Sequence, residues 1–250
     1  HIKKYDLNGN IQSTKVIWEN STNGSPSIHD RGRIAVNDNS LVVAFRSEDN
    51  GAWIYSLDAD GLVINWTQLV EPANNFGATG MTGGSYDTFE QLAHPYMIFL
   101  DLDQDGNAYV VVPALFGSTI YKHNERFGEN LSHIGETFVS PGFETDALVT
   151  KVSNTGERLY TVVAGSVDPD ECYGIKVHNN SFYLYGRTGK PTTTIGYQWD
   201  AYVAKYNSDT GSPVFARSFD IDKSEIIYDI AVTNTGDIIT FGSTGWSQNP

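Results

Sequence analysis

Along this chain apolar and polar residues alternate every second position for short stretches, break at a turn rich in Asp, Asn and Gly, and then alternate again. One such pattern reads Ile2-Lys3-Lys4-Tyr5-Asp6-Leu7-Asn8-Gly9 and returns as Val203-Ala204-Lys205-Tyr206-Asn207-Ser208-Asp209-Thr210-Gly211, with looser copies at residues 148–156 and 54–61. A second pattern, running from Ile230 to Gly242, recurs around Ile34, Ile98 and Ile175. Alternation of period two puts one set of side chains on each face of an extended strand, and the punctuation between runs supplies a reversal that needs positive φ. Both patterns therefore predict β-hairpins. The turns are expected at Asn8-Gly9, Asp60-Gly61, Asp105-Gly106, Thr155-Gly156 and Thr235-Gly236, because Gly adopts the left-handed conformation without steric cost. Helical periodicity is scarcely visible, and the chain reads as all-β.

Self-similarity at a spacing of tens of residues marks a repeat architecture, in which each unit buries its apolar face only against the next. The two hairpins alternate as the halves of a four-stranded unit. The Lys-Tyr hairpin of residues 2–18 is a second half, and the hairpin of residues 229–244 is a first half. Pairing them would close a ring and remove exposed sheet edges. The first-half motifs are spaced more widely than the about 40 to 50 residues of an ordinary propeller blade. The excess falls in two segments, 71–95 and 120–145, expected to be long loops; the second also holds Ile120-Tyr121-Lys122-His123-Asn124, a degenerate copy of the Lys-Tyr hairpin that would make a further blade. The expected fold is a small β-propeller of four or five blades, one domain over residues 1–250, with the termini sharing a blade. The alternative is a fragment of a larger propeller.

The quoted motifs resemble a family. A "D-A-x-V-x-K-Y" hairpin followed by an "I-A-V…G-S-T" hairpin is similar to the bacterial β-propeller repeats known as SBBP repeats. It is carried by Asp200-Ala201-Tyr202-Val203-Ala204-Lys205-Tyr206 with Ile230-Ala231-Val232 through Thr244, and by Asp146-Ala147-Leu148-Val149 with Ile175 through Gly186. The resemblance spans roughly residues 145 to 245. It implies four-stranded blades in a secreted or cell-surface protein, with no catalytic residues attached to the motif. A weaker resemblance links Ser47 to Trp53 and Ser56 to Trp66 with the Asp-box turns of sialidase-type propellers, which are structural turns remote from chemistry.

Composition narrows the function. With 16 Lys and Arg against 30 Asp and Glu the formal charge is −14, which disfavours a nucleic-acid backbone or an anionic membrane as partner. No apolar run reaches the about 18 residues of a membrane-spanning helix, so membrane insertion is not expected. Cys172 is the single cysteine, so no disulfide closes within the chain.

Candidate chemistry is sparse. Asp101, Asp103 and Asp105, at alternate positions ahead of Gly106, have the spacing of a Ca²⁺ loop. The twelfth position of that loop, a bidentate Glu in an EF-hand, is Val112, and the ninth is Tyr109. A plain hairpin turn accounts for the same residues, and the two readings stand side by side. Trp199 and Trp246, beside expected loops, together with Phe76 and Tyr86 in the Gly-rich segment, offer apolar faces on which a sugar ring stacks. His94, His123, Glu125 and Tyr121 are the acid/base candidates if the long loops 71–95 and 120–145 form a cleft. No HExxH, Rossmann or GxSxG motif occurs, and Gly80-Met81-Thr82-Gly83-Gly84 lacks the Lys of a phosphate loop. A repeat scaffold without a catalytic constellation points to a non-catalytic extracellular or cell-surface module that binds a glycan or a protein, or builds a surface assembly. The alternative is a carbohydrate-active enzyme, a glycosidase or polysaccharide lyase, of propeller fold.

Overall fold

In a computed structural model the described residues are 1–17, 31–38, 40–47, 51–71, 97–115, 145–165, 170–191, 197–221 and 224–245. Among them the chain is all-β, with sixteen strands and no helix. The strands are β1 (Ile2–Tyr5), β2 (Ile11–Lys15), β3 (Arg31–Val36), β4 (Leu41–Ser47), β5 (Gly51–Leu57), β6 (Ile64–Glu71), β7 (Phe99–Leu102) and β8 (Ala108–Leu115). They continue as β9 (Thr145–Val152), β10 (Arg158–Ala164), β11 (Asp170–His178), β12 (Ser181–Pro191), β13 (Tyr197–Asn207), β14 (Pro213–Phe219), β15 (Glu225–Val232) and β16 (Ile238–Thr244). All pair antiparallel in chain order. They form four-stranded sheet I (β3 to β6), sheet II (β7 to β10) and sheet III (β11 to β14), and two separate hairpins, β1–β2 and β15–β16.

The alternation read in the sequence explains how these sheets stack. In sheet I, Val42, Ala44, Ala52 and Ile54 face sheet II, where Ile98, Val110, Val112 and Leu148 meet them. The intervening Leu41, Val43, Trp53, Tyr55 and Leu57 face the other way, toward Ile2 of β1 and Ile17. Sheet II turns Phe99, Tyr109, Val111 and Val149 onto Ile175, Val177, Phe182 and Leu184 of sheet III. Sheet III in turn sets Tyr183, Tyr185, Ala201 and Val203 against Ile227, Ile230, Val232 and Ile238 of the last hairpin. Each central sheet is thus buried on both faces, which is why its middle strands carry near-continuous apolar runs.

The turns repeat one construction. Asp6, Asp103, Ser153 and Thr233 open them, and the Gly three residues on (Gly9, Gly106, Gly156, Gly236) has φ between 82° and 91°. In each, that Gly donates its N–H back to the carbonyl of the opening residue at 2.9–3.1 Å. The turn after β5 departs from expectation. There the left-handed residue is Leu62, at φ 54°, and not Gly61. Leu62 is only 2% exposed, and its burial among Leu41, Tyr55 and Leu57 offsets the strain of that conformation.

Two expectations about closure are met differently. Among the described residues the hairpins β1–β2 and β15–β16 do not pair with each other, one packing on sheet I and the other on sheet III, and the described sheets do not close into a ring. The long segment 120–145 lies almost wholly outside the described residues. Because β8 pairs directly with β9 from Ala108↔Val152 to Leu115↔Thr145, that segment is inserted within sheet II, between its second and third strands. Segment 71–95, of which only Glu71 is described, connects sheet I to sheet II.

Candidate functional site

Each sheet has two ends. At one, hairpin turns join first to second and third to fourth strands; at the other, the second strand leaves and the third enters. Charged groups are concentrated and buried at this second end. Arg46 closes β4, Asp146 opens β9, Asp170 and Glu171 open β11, Arg187 lies late in β12, Asp200 early in β13 and Glu225 opens β15. All are at most 9% exposed. Burying a charge is costly unless it is paired, so the pairing defines what this end does.

One such group is built on Arg187 and Glu171, cross-strand partners in the β11–β12 ladder. Arg187 donates from Nε to Glu171 Oε2 at 2.9 Å and brings Nη2 within 2.8 Å of the same oxygen. Tyr173 donates its hydroxyl to that oxygen at 2.9 Å. The guanidinium plane lies over Trp199 at 4.3 Å and reaches Tyr173 at 6.0 Å. Burial first, and the Glu171 charge second, push the Tyr173 phenol above its ordinary value. The cluster holds a desolvated cation between a carboxylate and an aromatic face, the geometry for which Arg is suited and Lys is not.

Beside it, carboxylate oxygens of Asp200, Asp220 and Glu225 lie within 4.8 Å of one another, the first and last buried and Asp220 exposed. Gln198 donates to Asp220 Oδ1 at 3.4 Å. Grouped oxygens of this kind are hard-cation donors in chemical type. In the adjoining joint, Arg46 crosses from sheet I to sheet II and donates to the carbonyls of Met97, at 3.4 Å, and Pro113, at 3.2 Å. Cys172 is buried, donates to the Gly174 carbonyl at 3.3 Å, and has its thiol pushed up to about 11, chiefly by desolvation. A thiol so placed is a packing group, not a nucleophile.

Asp101, Asp103 and Asp105 are not brought together. Asp101 faces sheet III: its Oδ2 accepts the N–H of Val177 at 2.8 Å and lies 3.4 Å from Lys176 Nζ. Asp103 serves its own turn, with Oδ1 accepting the N–H of Asp105 at 3.0 Å and of Asn107 at 2.9 Å, and Oδ2 accepting the Asn107 side-chain amide at 2.9 Å. Asp105 is exposed at the tip. These are the contacts of the hairpin reading. Trp199 is the third residue of β13, 4% exposed, and one face is taken by Arg187; residues 192–196, before the strand, lie outside the described residues. His94, His123, Glu125, Tyr121, Trp246, Phe76 and Tyr86 lie outside the described residues.

The sequence reading missed the joint at the turn end of sheets II and III. The backbone carbonyl of Ser208 accepts three donors from sheet II: Lys151 Nζ at 2.9 Å, the Tyr160 hydroxyl at 2.9 Å and the Tyr109 hydroxyl at 3.3 Å. Lys151 also lies 4.0 Å from Asp103 Oδ2 and 5.0 Å from the centre of the Tyr109 ring. The Lys of the repeated Lys-Tyr motif was the available signal. In sheet III its counterpart Lys205 lies over the ring of Tyr183 at 5.5 Å.

No family model matches the chain, and no curated protein matches it at a significant level.

Proposed function

We propose that this chain is a non-catalytic, propeller-type repeat module, secreted or displayed at a cell surface, whose sheets are blades of a scaffold that binds a glycan or protein partner or builds a surface assembly. The observation that carries this reading is how the charged groups at the described sheet ends are engaged. Arg187, Glu171, Tyr173 and Trp199 hold one another; Arg46 bridges two sheets through backbone carbonyls; Lys151, Tyr109 and Tyr160 converge on Ser208. Groups so engaged stabilise joints between sheets. A general acid or base needs instead a titratable group aimed at a cleft. Extracellular placement is supported by the resemblance of residues 145 to 245 to bacterial surface-protein repeats.

The test pairs binding with turnover. The protein is screened on immobilised acidic and neutral polysaccharides and on extracellular-matrix proteins, while soluble products are measured from the same polysaccharides. Retention without product release is the expected result. Turnover that disappears in His94→Ala or His123→Ala would replace this reading with that of a carbohydrate-active enzyme.

A further inference from the structure

The hairpin turns that share one construction differ at the position before their positive-φ Gly, which holds Asn8, Asp105, Thr155 and Thr235. Among these only Asn8 carries a side-chain amide. Its Cγ is an electrophile placed one residue before a backbone nitrogen, and closure of that nitrogen onto Cγ makes a five-membered cyclic imide. The following residue is a glycine, and without a Cβ the backbone can reach the conformation that closure requires.

The fold leaves this pair open. Asn8 and Gly9 are both exposed, and a Cβ at Gly9 would meet nothing within 4 Å. The Asn8 side chain makes no hydrogen bond to a described residue; only its main-chain N–H is held, by Asp6 Oδ1 at 2.8 Å. The Gly9 N–H is donated to the Asp6 carbonyl at 3.0 Å, a bond at an exposed hairpin tip that local opening frees. The other acidic turns are guarded. Gly106 is buried, a Cβ there would run into the Ser40 side chain, and Asn154 donates its side-chain amide to the Asp105 carbonyl at 3.0 Å. Asp60, ahead of Gly61, has Lys4 Nζ 3.0 Å from its Oδ1, which favours the carboxylate over the neutral acid that would cyclise. Gly236 is as open as Gly9, but Thr235 before it offers no carbonyl carbon in its side chain.

We propose that Asn8-Gly9 is a self-modification site, at which the chain converts Asn8 to a mixture of aspartyl and isoaspartyl residues with water as the only co-reactant. The Gly9 nitrogen gives up its proton to solvent and attacks Asn8 Cγ; the N–Cγ bond forms, the Cγ–Nδ2 bond breaks, and Nδ2 takes up a proton and leaves as ammonia. Water then adds to one of the two imide carbonyls. Addition at Cγ breaks the new bond and leaves an aspartyl side chain; addition at the main-chain carbonyl breaks the original peptide bond and leaves Gly9 linked through Cγ. No atom is oxidised or reduced. Either product adds a negative charge to a chain already at −14. The isoaspartyl product also lengthens the main chain by one carbon, inside a turn that the Asp6 N–H closes onto the Asn10 carbonyl at 2.9 Å. The hairpin it loosens is β1–β2, which rests on sheet I through Ile2 and through Lys4 on Asp60. The site thus couples the age of the molecule to the hold of its first hairpin.

The test is to age the intact protein in neutral and mildly alkaline buffer, native and in denaturant, and to map it by mass spectrometry with fragmentation that separates aspartyl from isoaspartyl. The peptide spanning β1 and β2 should gain about 1 Da in native buffer, faster at the higher pH, and should accept methyl groups from an isoaspartyl-specific methyltransferase. Asn8→Thr, which gives this turn the residue of two sister turns, should abolish the gain and keep the melting temperature. Asn23-Gly24 and Asn50-Gly51, whose asparagines lie outside the described residues, are read on separate peptides. The peptide bearing Asp105-Gly106 should show isoaspartyl only in denaturant. A native rate more than about tenfold below the denatured one, the mark of a protected turn, would overturn the proposal, as would aspartyl product without isoaspartyl. Amide exchange across residues 2–15 should quicken in aged chains while β12 and β13 keep their protection; exchange equal to that of fresh protein would overturn the loosening of the hairpin.

Discussion

Replacing Asp103 by Ala tests the turn reading of the acidic motif against the calcium reading. The carboxylate accepts two backbone N–H groups and one side-chain amide, and 13% of its side chain is exposed, with Lys151 Nζ 4.0 Å away. An intramolecular hydrogen bond contributes about 0.5–1.5 kcal/mol net, and loss of a capping side chain of this kind about 1 kcal/mol. Water re-solvates the exposed Asp105 amide, so the sum is nearer the lower bound for that contact, and Asp103→Ala should cost about 2–3 kcal/mol. For a chain of this length about 2–4 °C accompanies each kcal/mol, so the melting temperature should fall by about 5–10 °C. Asp103→Asn keeps the Oδ1 acceptor for the two backbone N–H groups but loses the charge facing Lys151 and the Oδ2 acceptor of the Asn107 amide; its cost should be about 1–2 kcal/mol. Thermal melts of the three proteins, each run in chelator and in millimolar Ca²⁺, read out both effects. On the turn reading the ranking is wild type, Asn, Ala, and it is the same in both buffers. A wild-type melt raised several degrees by Ca²⁺, with the rise lost in Asp103→Ala, would refute the reasoning.

Two further outcomes follow from the same structure. Gly156→Ala should destabilise by about 1–3 kcal/mol in urea titrations, because φ is +91° and a Cβ would come within 2.9 Å of the Trp66 indole; an unchanged midpoint would show that the Trp66 contact is not kept in solution. Tyr109, Tyr160, Tyr173, Tyr185, Tyr202 and Tyr206 all have phenols pushed above their ordinary value, first by burial. Raised acids favour the fold fully below the unfolded value of about 10 and lose that contribution as pH climbs beyond it. The full tyrosinate absorbance of the chain's 14 tyrosines should therefore be reached only with loss of β signal above about pH 10, and its completion in a protein that stays folded would contradict the burial of these six.

Period-two alternation and Gly-bearing turns were enough to place both families of hairpins. The motifs around Ile34, Ile98, Ile175 and Ile230 became first and second strands, and those at Ile54, Leu148 and Val203 became third strands. What was not legible depends on contacts distant in sequence. The Lys-Tyr motif shows that Lys151 recurs, but its partner Ser208 lies in another sheet. Asp101 and Asp103 look equivalent as letters, yet Asp101, within β7, reaches Val177 of sheet III, whereas Asp103, just past the end of the strand, serves its own turn. The surroundings of Trp199 are hidden in the same way, because nothing local announces that Arg187 lies over its ring. The position of Leu62 could have been suspected only from its burial, since Gly61 is the better local candidate for a left-handed residue.

The joint between sheets II and III is chemically lopsided. Its three donors are side chains, those of Tyr109, Lys151 and Tyr160, but its acceptor is the main-chain carbonyl of residue 208, which every amino acid carries. Substitution on one side of the seam can remove a donor; on the other it can change the bulk of the side chain but cannot delete the acceptor. Two adjoining repeats can therefore drift apart in sequence at very different rates along a shared seam: the turn of sheet III is free to vary in identity so long as its path is kept, while sheet II carries nearly all the chemical constraint.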